Sequence, residues 1–469
     1  LKLQDFEAVR IFLRVYFSLE NAVLSHSPAL PAHAKSGTIG WYLMAGGIFR
    51  MRITRDLPLK GTFDLVVAGG GPGGLGAAIA AARCGLKTAL IEKNSFLGGM
   101  ASAGLVVPLS GFYHNGVRVA GGIGWELVQR LIADGAAQIE LPKGHVSYHP
   151  EYVKLHALRM AREAGVTLIM NALLTGCQME AGRLTHVFFA QPGGEAALAA
   201  DTFIDATGGA SLCRMAGAEM LPAPESYQPM SLCILLEGVD CSTPLLSGSI
   251  HHDGLHGHSS HAEIHRWLAA QPDAPQFGGP WFNSLIRGDL LAVNITRSGG
   301  DGADDEDCAA VTARLREDAF RLTELLRRGF AEFKNAQVAG TAVNLGVRES
   351  RRMRGRYVLT GDDLLHQRRF EDTIAFCAHP MDIHLPDGNG QKLVDLPAPG
   401  AIPLRCLQSA SVENLLGAGR VISCDGAAFA SLRVMATAFA VGQAAGVACS
   451  QGMDAARTRD VLARQGAIT

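Results

Sequence analysis

Five glycines and a proline fill six positions, Gly69-Gly70-Gly71-Pro72-Gly73-Gly74, between an apolar run at 63–68 and an Ala-rich stretch at 75–83. That run, interrupted only by Asp64, suits a parallel strand buried on both faces, because such a strand has no solvent side to make it alternate. The Ala-rich stretch reads as a helix closed by Gly85, and 87–92 as a second short strand. The unit is therefore β-α-β, and its glycines satisfy G-x-G-x-x-G, with Glu92 near the roughly 20-residue spacing that a dinucleotide-binding acid takes. Gly69 permits a tight turn, Gly71 lets backbone reach a pyrophosphate, and Gly74 lets the helix pack closely on the sheet. The helix N-terminus, with Pro72 and Gly73 in it, aims its N–H groups and partial positive charge at phosphates. Glu92 is expected to accept hydrogen bonds from ribose hydroxyls, which would repel a 2'-phosphate.

The rest of the chain must fit around that unit. Residues 150–164 read as an amphipathic helix with Pro in its first turn. Short β-like runs at 166–170, 173–177, 184–190 and 202–206, with Gly182 and the Gly193-Gly194 pair between them, predict an antiparallel meander returning to the parallel sheet. Residues 225–395 carry no β-α-β pattern; they hold a His-rich segment, a long helix at 309–334 and an Arg-rich stretch, and read as an inserted substrate domain. A strand and turn at 414–419 and a small-residue helix at 432–449 follow. The expected fold is α/β, a Rossmann-like domain with parallel sheet and β-meander, plus an inserted α+β substrate domain. Its parts are 61–224 and 396–455 for the cofactor domain, 225–395 for the insertion, and 456–469 as a tail. Residues 1–60 read as an extension, poorly ordered or a mis-assigned start, with the native domain beginning near Met51. A signal peptide is the competing reading, with Arg10 as its basic region and Ala32-His33-Ala34 as its cleavage site, but charges interrupt its apolar middle.

Composition removes several function classes. The formal net charge of -2 gives no field to hold nucleic acid or an anionic membrane. No uninterrupted apolar stretch in the N-terminal region reaches the ~20 residues of a membrane span. None of the 10 Cys are spaced as C-x-x-C, which disfavours iron–sulfur, zinc-ribbon and dithiol sites. Long Cys spacing in a chain of 469 residues suits reduced thiols and a cytoplasmic location.

A second glycine doublet, in Leu97-Gly98-Gly99-Met100-Ala101-Ser102, follows the acidic strand end. The two stretches together resemble flavoproteins of the glutathione-reductase-like superfamily, and within it a bacterial family of FAD-dependent oxidoreductases. Further stretches carry the same resemblance: Gly121-Gly122-Ile123 with Glu126; Phe203-Ile204-Asp205-Ala206-Thr207-Gly208, like the superfamily's second FAD motif; 345–352, 357–362 and 379–384; and 414–423 with Ser431-Leu432-Arg433-Val434 and 442–446. The resemblance implies FAD held by Gly69, Gly71, Pro72, Gly73, Gly74, Glu92, Lys93, Gly98, Gly99, Met100, Ala101, Leu174, Thr207, Gly208, Gly419, Arg420 and Arg433. Gly209 and Ala210 stand where the family often carries an acid, and His379 where an aromatic is usual. Arg433 suits the flavin's N1 and C2 carbonyl, where reduction gathers negative charge; a surface ion pair is its alternative.

Flavin dehydrogenation requires a base on the substrate side. Asp382 and His384 are two apart, so in an extended strand both point to one face, and the carboxylate can orient the ring. The expected catalytic set is His384, Asp382 and Arg348, with Arg348, Arg351 and Arg352 offering forked donors to an anionic substrate and Glu349 restraining one of them. Six His lie between 251 and 265, but without fixed ligand spacing they read as a polar loop, and no metal is expected. The expected reaction is dehydrogenation of a small polar or anionic metabolite: a hydroxy acid, alcohol or sugar derivative. Two alternatives are reduction of an activated double bond and a non-catalytic electron-transfer subunit. A small-molecule substrate and an electron acceptor are the expected partners; oligomeric state is open.

Overall fold

The apolar run at 63–68 is the buried end of β1, Leu59–Ala68, in a computed structural model that describes residues 39–43, 49–140, 144–247, 260–285, 289–386 and 390–469. The chain divides into two units, Leu1–Leu57 and Pro58–Thr469. In the first, Ile39–Leu43 and Phe49–Ile53 pair as an antiparallel hairpin. The signal-peptide reading and, of the 1–60 extension, residues 1–38 and 44–48 lie outside the described residues.

In the second unit β1 leads into helix α1, Pro72–Arg83, and then β2, Thr88–Glu92, whose five residues are all buried, as a strand covered on both faces should be. Helices α2, Gly122–Ala133, and α3, Pro150–Glu163, come next, followed by β3, Thr167–Met170. Of the runs expected in the meander, 173–177 and 184–190 are β4, Leu173–Glu180, and β5, Arg183–Gln191, which pair antiparallel, and β5 in turn pairs antiparallel with the first half of β6, Gly194–Asp205. The run at 166–170 is instead β3, parallel to β2. The second half of β6 lies parallel to β1, so the sheet order is β4-β5-β6-β1-β2-β3, with β1, β2 and β3 parallel. This is the Rossmann-like α/β arrangement that the glycine motif demands.

Residues 234–341 build a second, antiparallel sheet from β7, Ile234–Glu237, β8, Phe277–Ser284, β9, Leu290–Thr296, and β10, Gln337–Thr341, in the order β8-β9-β7-β10. Helix α4, Asp305–Gly329, covers it with Ala319, Leu322, Leu325 and Leu326. The acidic stretch at 304–307 starts this helix, with the Asp304 side chain accepting from Asp307 N at 2.8 Å as its cap, and the helix ends at Gly329, short of the 334 expected. The acidic first turn, Asp305 to Asp307, then faces the positive end of the helix dipole. Beyond it, β11, Met381–His384, and β12, Gln391–Val394, form a short antiparallel pair.

The chain then returns to the first sheet. β13, Leu415–Gly417, adds in parallel beside β6, and Asn414 ties the junction by accepting from Leu184 N at 3.0 Å and donating to Asp201 O at 2.8 Å. A shorter helix, α5, Gly426–Leu432, precedes the helix expected at 432–449, which is α6, Met435–Ser450, and the two meet at an angle of 95°. Asp425 caps the first of them, with its carboxylate accepting from Ala428 N at 2.7 Å. Arg433 sits at the break, where its side chain reaches β11. Helix α6 is apolar all round, as a buried helix is. It lies on α1 so closely that a Cβ on Gly442 would overlap Gly73 O and one on Gly446 would overlap Ala77 O. Among the described residues no single helix is long and apolar enough to cross a membrane.

Candidate active site

The loop between β1 and α1 is set by backbone contact. Gly69 has φ +100°, and a Cβ on it would sit 2.5 Å from Ala206 O, where β6 ends. A Cβ on Gly74 would overlap the Gly69 carbonyl oxygen, and one on Gly73 would come within 2.9 Å of Gly419 N. Gly71 differs, because a Cβ there would meet only Gly99 Cα, at 3.7 Å. Protein packing thus requires glycine at 69, 73 and 74, while space in front of Gly71 remains for something other than protein.

The second doublet closes on this loop, with Gly98 N donating to Gly70 O at 2.9 Å, and Met100 and Ala101 completing a short turn, Gly99–Ala101. Glu92 is buried at the end of β2; its carboxylate accepts from Gly70 N at 2.7 Å and from Asn94 N and Nδ2 at 2.9 and 2.7 Å. It therefore anchors the loop as well as offering its remaining lone pair. Lys93 is exposed just beyond, and Leu174 sits half-buried on β4 opposite Phe189. The hydroxyl of Thr207 donates to Asp205 at 2.7 Å and accepts from Ser211 N at 3.0 Å, so it holds the turn after β6.

Gly208 and Arg420 complete the cradle. The guanidinium of Arg420 lies so close that a Cβ on Gly208 would be 2.5 Å from its Nη2. Its Nη1 is buried and finds no hydrogen-bond partner among the described residues, and burial pulls the group down to about 10. The first turn of α1 carries no acidic side chain and no side-chain cap. An uncapped helix N-terminus, room at Gly71 and an orphaned guanidinium N–H fit the diphosphate and sugar of FAD.

The substrate-domain arginines meet this cradle through Ser350, whose Oγ donates to Gly208 O at 3.1 Å. Arg348 is buried, with Nη1 donating to Pro229 O at 2.7 Å and Ser231 Oγ at 2.8 Å. Its three expected companions separate: Glu349 pairs with Arg352 at 2.6 Å, and Arg351 reaches the Ala303 carbonyl. The basic run is thus no single anion clamp, because each guanidinium that burial removes from water must find its own acceptor.

Asp382 and His384 share one side of β11, as alternation requires, with His384 Nε2 3.1 Å from Asp382 Oδ2. Arg433 donates from Nη2 to Asp382 O at 2.7 Å and to Oδ2 at 3.1 Å, and Gln391 Nε2 donates to Oδ1. The ion pair of Arg433 is therefore an inner one, and its Nε is buried without a partner among the described residues. Burial alone would raise the Asp382 carboxyl, but its bond to His384 and the charge of Arg433 outweigh that and hold it well below the usual carboxylate range. An ionised carboxylate only accepts, so the proton of the His384 ring is on Nε2 and Nδ1 is its acceptor nitrogen. Burial and then the Arg348 charge push the His384 imidazole down to about 3, against the pull of Asp382. The carboxylate taken alone makes this ring more basic; burial beside guanidiniums outweighs it.

A stability effect follows. The folded state takes up the His384 proton far less readily than the unfolded chain, whose His titrates near ~6.5. The unfolded chain binds protons first, so stability is expected to fall as pH drops from about 6.5 toward 3. A His384→Gln variant should lose less, retaining about 2–3 kcal/mol relative to the parent near pH 4.5. Unfolding midpoints of the two proteins measured from pH 7 to 4.5 check this; parallel curves would contradict it.

Sequence reading missed Arg297, Trp281 and Gln228. Gln228 Oε1 accepts from His384 N at 3.2 Å; Trp281 stands edge-on to the His384 ring at 5.8 Å; Arg297 lies over Trp281 at 5.2 Å. The available signal was a lone charge directly after an apolar strand. His251, His252, His256 and His258 lie outside the described residues, while His265 Nδ1 is 2.7 Å from Gly279 O. Among the described residues no group of three His, Cys, Asp or Glu is arranged for a metal.

Comparison with known proteins gives a family model, FAD dependent oxidoreductase, matching residues 64–465. Over 45 residues the chain is 58% identical to dihydrolipoyl dehydrogenase of Trypanosoma brucei brucei, covering 10% of this chain and 9% of that protein. Over 36 residues it is 67% identical to mitochondrial dihydrolipoyl dehydrogenase of Caenorhabditis elegans, covering 8% and 7%. The chain therefore spans under a tenth of either relative. Among solved structures, a geranylgeranyl bacteriochlorophyll reductase-like protein from Thermoplasma acidophilum aligns with TM-score 0.44 and 15% identity over 86% of this chain and 82% of that one. The p-nitrophenol 4-monooxygenase of Pseudomonas putida DLL-E4 aligns at 0.41 and 14%, over 86% and 84%. Both scores are too low to carry the fold, which rests on the strand order above. With the family match running from β1 through α6, and a cradle that fits its cofactor, the chain belongs to the FAD dependent oxidoreductase family.

Proposed function

We propose that the enzyme dehydrogenates a small polar or anionic metabolite, a hydroxy acid, alcohol or sugar derivative, with His384 as the base. The observation that carries this reading is the His384–Asp382 pair, 3.1 Å apart and buried beside Arg348 and Arg433. FAD, when bound, supplies the hydride acceptor at its N5. His384 Nδ1 takes the proton of the substrate hydroxyl as the carbon–hydrogen bond breaks, and the carbon is left as a carbonyl. Asp382 holds the ring through Nε2 and favours the imidazolium that forms. Arg433 and Gln391 keep Asp382 from turning away. Arg348, pinned by Pro229 O and Ser231 Oγ, presents a fixed positive charge to an anionic substrate. Low dielectric around these groups strengthens each interaction. The electron acceptor is a partner outside the chain.

Anaerobic titration of the yellow holoenzyme with panels of hydroxy acids, alcohols and sugar derivatives tests this. The oxidised band near ~450 nm is expected to bleach with members of one panel. A holoenzyme that no compound bleaches would sink the reading.

A further inference from the structure

We propose that Arg297 is a carboxylate-binding residue of the substrate pocket, acting with Arg433 and Arg348 beside the His384–Asp382 pair, so that the substrate is a carboxylate. This rests on the dehydrogenase reading and narrows its substrate class.

Arg297 follows β9 and is 2% exposed. Its Nε and Nη1 are buried and find no hydrogen-bond partner among the described residues. A buried guanidinium N–H without an acceptor costs at least as much as a lost charged hydrogen bond, so a side chain left this way marks a place where an acceptor arrives. The cation–π contact with Trp281, 5.2 Å from the guanidinium carbon to the ring centroid, supplies no hydrogen-bond acceptor to Nε or Nη1. A carboxylate brings such acceptors together with the opposite charge.

Position connects Arg297 to the chemistry. From Arg297 the path runs over Trp281 to the His384 ring at 5.8 Å, then 3.1 Å to Asp382, and 3.1 Å to Arg433, whose Nε is orphaned as well. After burial, the charge of Arg433 disfavours that of Arg297, the charges of Arg297 and Arg433 disfavour that of Arg348, and the carboxylate that opposes both effects is Asp382. Glu349 is already paired with Arg352. Three guanidiniums around one carboxylate leave positive charge that water cannot dilute, and an incoming anion supplies what is missing. Its arrival also opposes the charge that lowers His384, so a bound carboxylate makes the base a better one.

The test is equilibrium binding to oxidised holoenzyme at constant ionic strength, by calorimetry and by the flavin difference spectrum. The probes are malonate, tartrate and gluconate, each against an uncharged counterpart: malonamide, threitol and glucose. At least one carboxylate is expected to bind more tightly than its counterpart, and Arg297→Gln to weaken that binding by roughly 30-fold or more. Arg297→Lys should restore part of it, since charge returns without the fork. FAD retention should be unchanged in both variants. Equal binding of acids and uncharged counterparts would overturn the proposal, as would an Arg297→Gln protein that keeps carboxylate affinity but loses FAD. If neither variant folds, the parent comparison of acids with uncharged counterparts decides alone. Bleaching by uncharged sugars, with no preference for acids, overturns the subsite and leaves dehydrogenation standing. Arg297-dependent acid binding without bleaching by any compound does the reverse.

Discussion

His384→Ala is expected to slow reduction of the bound flavin by roughly 10²–10⁴-fold, the range that a positioned general base contributes. FAD should stay bound, because the cradle at Gly69–Gly74, Gly208 and Arg420 makes no use of the imidazole. Asp382→Asn should fall in the same direction for a different reason. An amide can donate as well as accept, so Nε2 is no longer bound to carry the ring proton and Nδ1 is no longer fixed as acceptor. Single-turnover reduction under anaerobic conditions, with absorbance to count bound flavin, measures both. The neutral ring is ready at all pH values above about 3 in the free enzyme, so kcat/KM should stay level on the acid side until the fold itself fails. A His384→Ala enzyme reduced at the parental rate would remove the ring from the mechanism.

The second large effect is expected at Gly74. A methyl there overlaps the Gly69 carbonyl oxygen, and neither atom is the end of a flexible side chain. Relief requires α1 to lift from the β1 turn, yet α6 presses on its other side at Gly442 and Gly446. Gly74→Ala is expected to cost about 3 kcal/mol or more and to yield protein without bound flavin. Gly193→Ala is the matched control, because a Cβ there meets nothing within 4 Å. Absorbance per mole of purified protein, with thermal midpoints of both variants, decides the matter; a fully yellow Gly74→Ala protein of parental stability would contradict the packing described.

What sequence alone could supply follows the range of the forces involved. The β1-α1-β2 unit was legible because its glycines, its buried strands and Glu92 act over neighbouring residues. The shared face of Asp382 and His384 was legible too, since strand alternation needs no knowledge of the partner strand. The acidic start of α4 at 304–307 was legible as well, since carboxylates belong at the positive end of a helix dipole. The pairing of Arg433 with Asp382 was hidden because the two lie about fifty positions apart and meet only in the folded chain. Arg297 was invisible for the same reason: its companions Arg348, Asp382 and Arg433 come from segments that only the folded chain assembles.

The backbone contact of α1 with α6 joins an early part of the chain to a late one. At roughly 5–20 residues per second, Gly73 leaves the ribosome tens of seconds before Gly442. Through that interval the glycine turn has no second wall, β6 has no β13 beside it, and Arg420 has not been made. Capture of the nucleotide is thereby deferred until β13, Arg420 and α6 have been made, and the nascent polypeptide must keep a water-averse half-cradle out of contact with its neighbours until then.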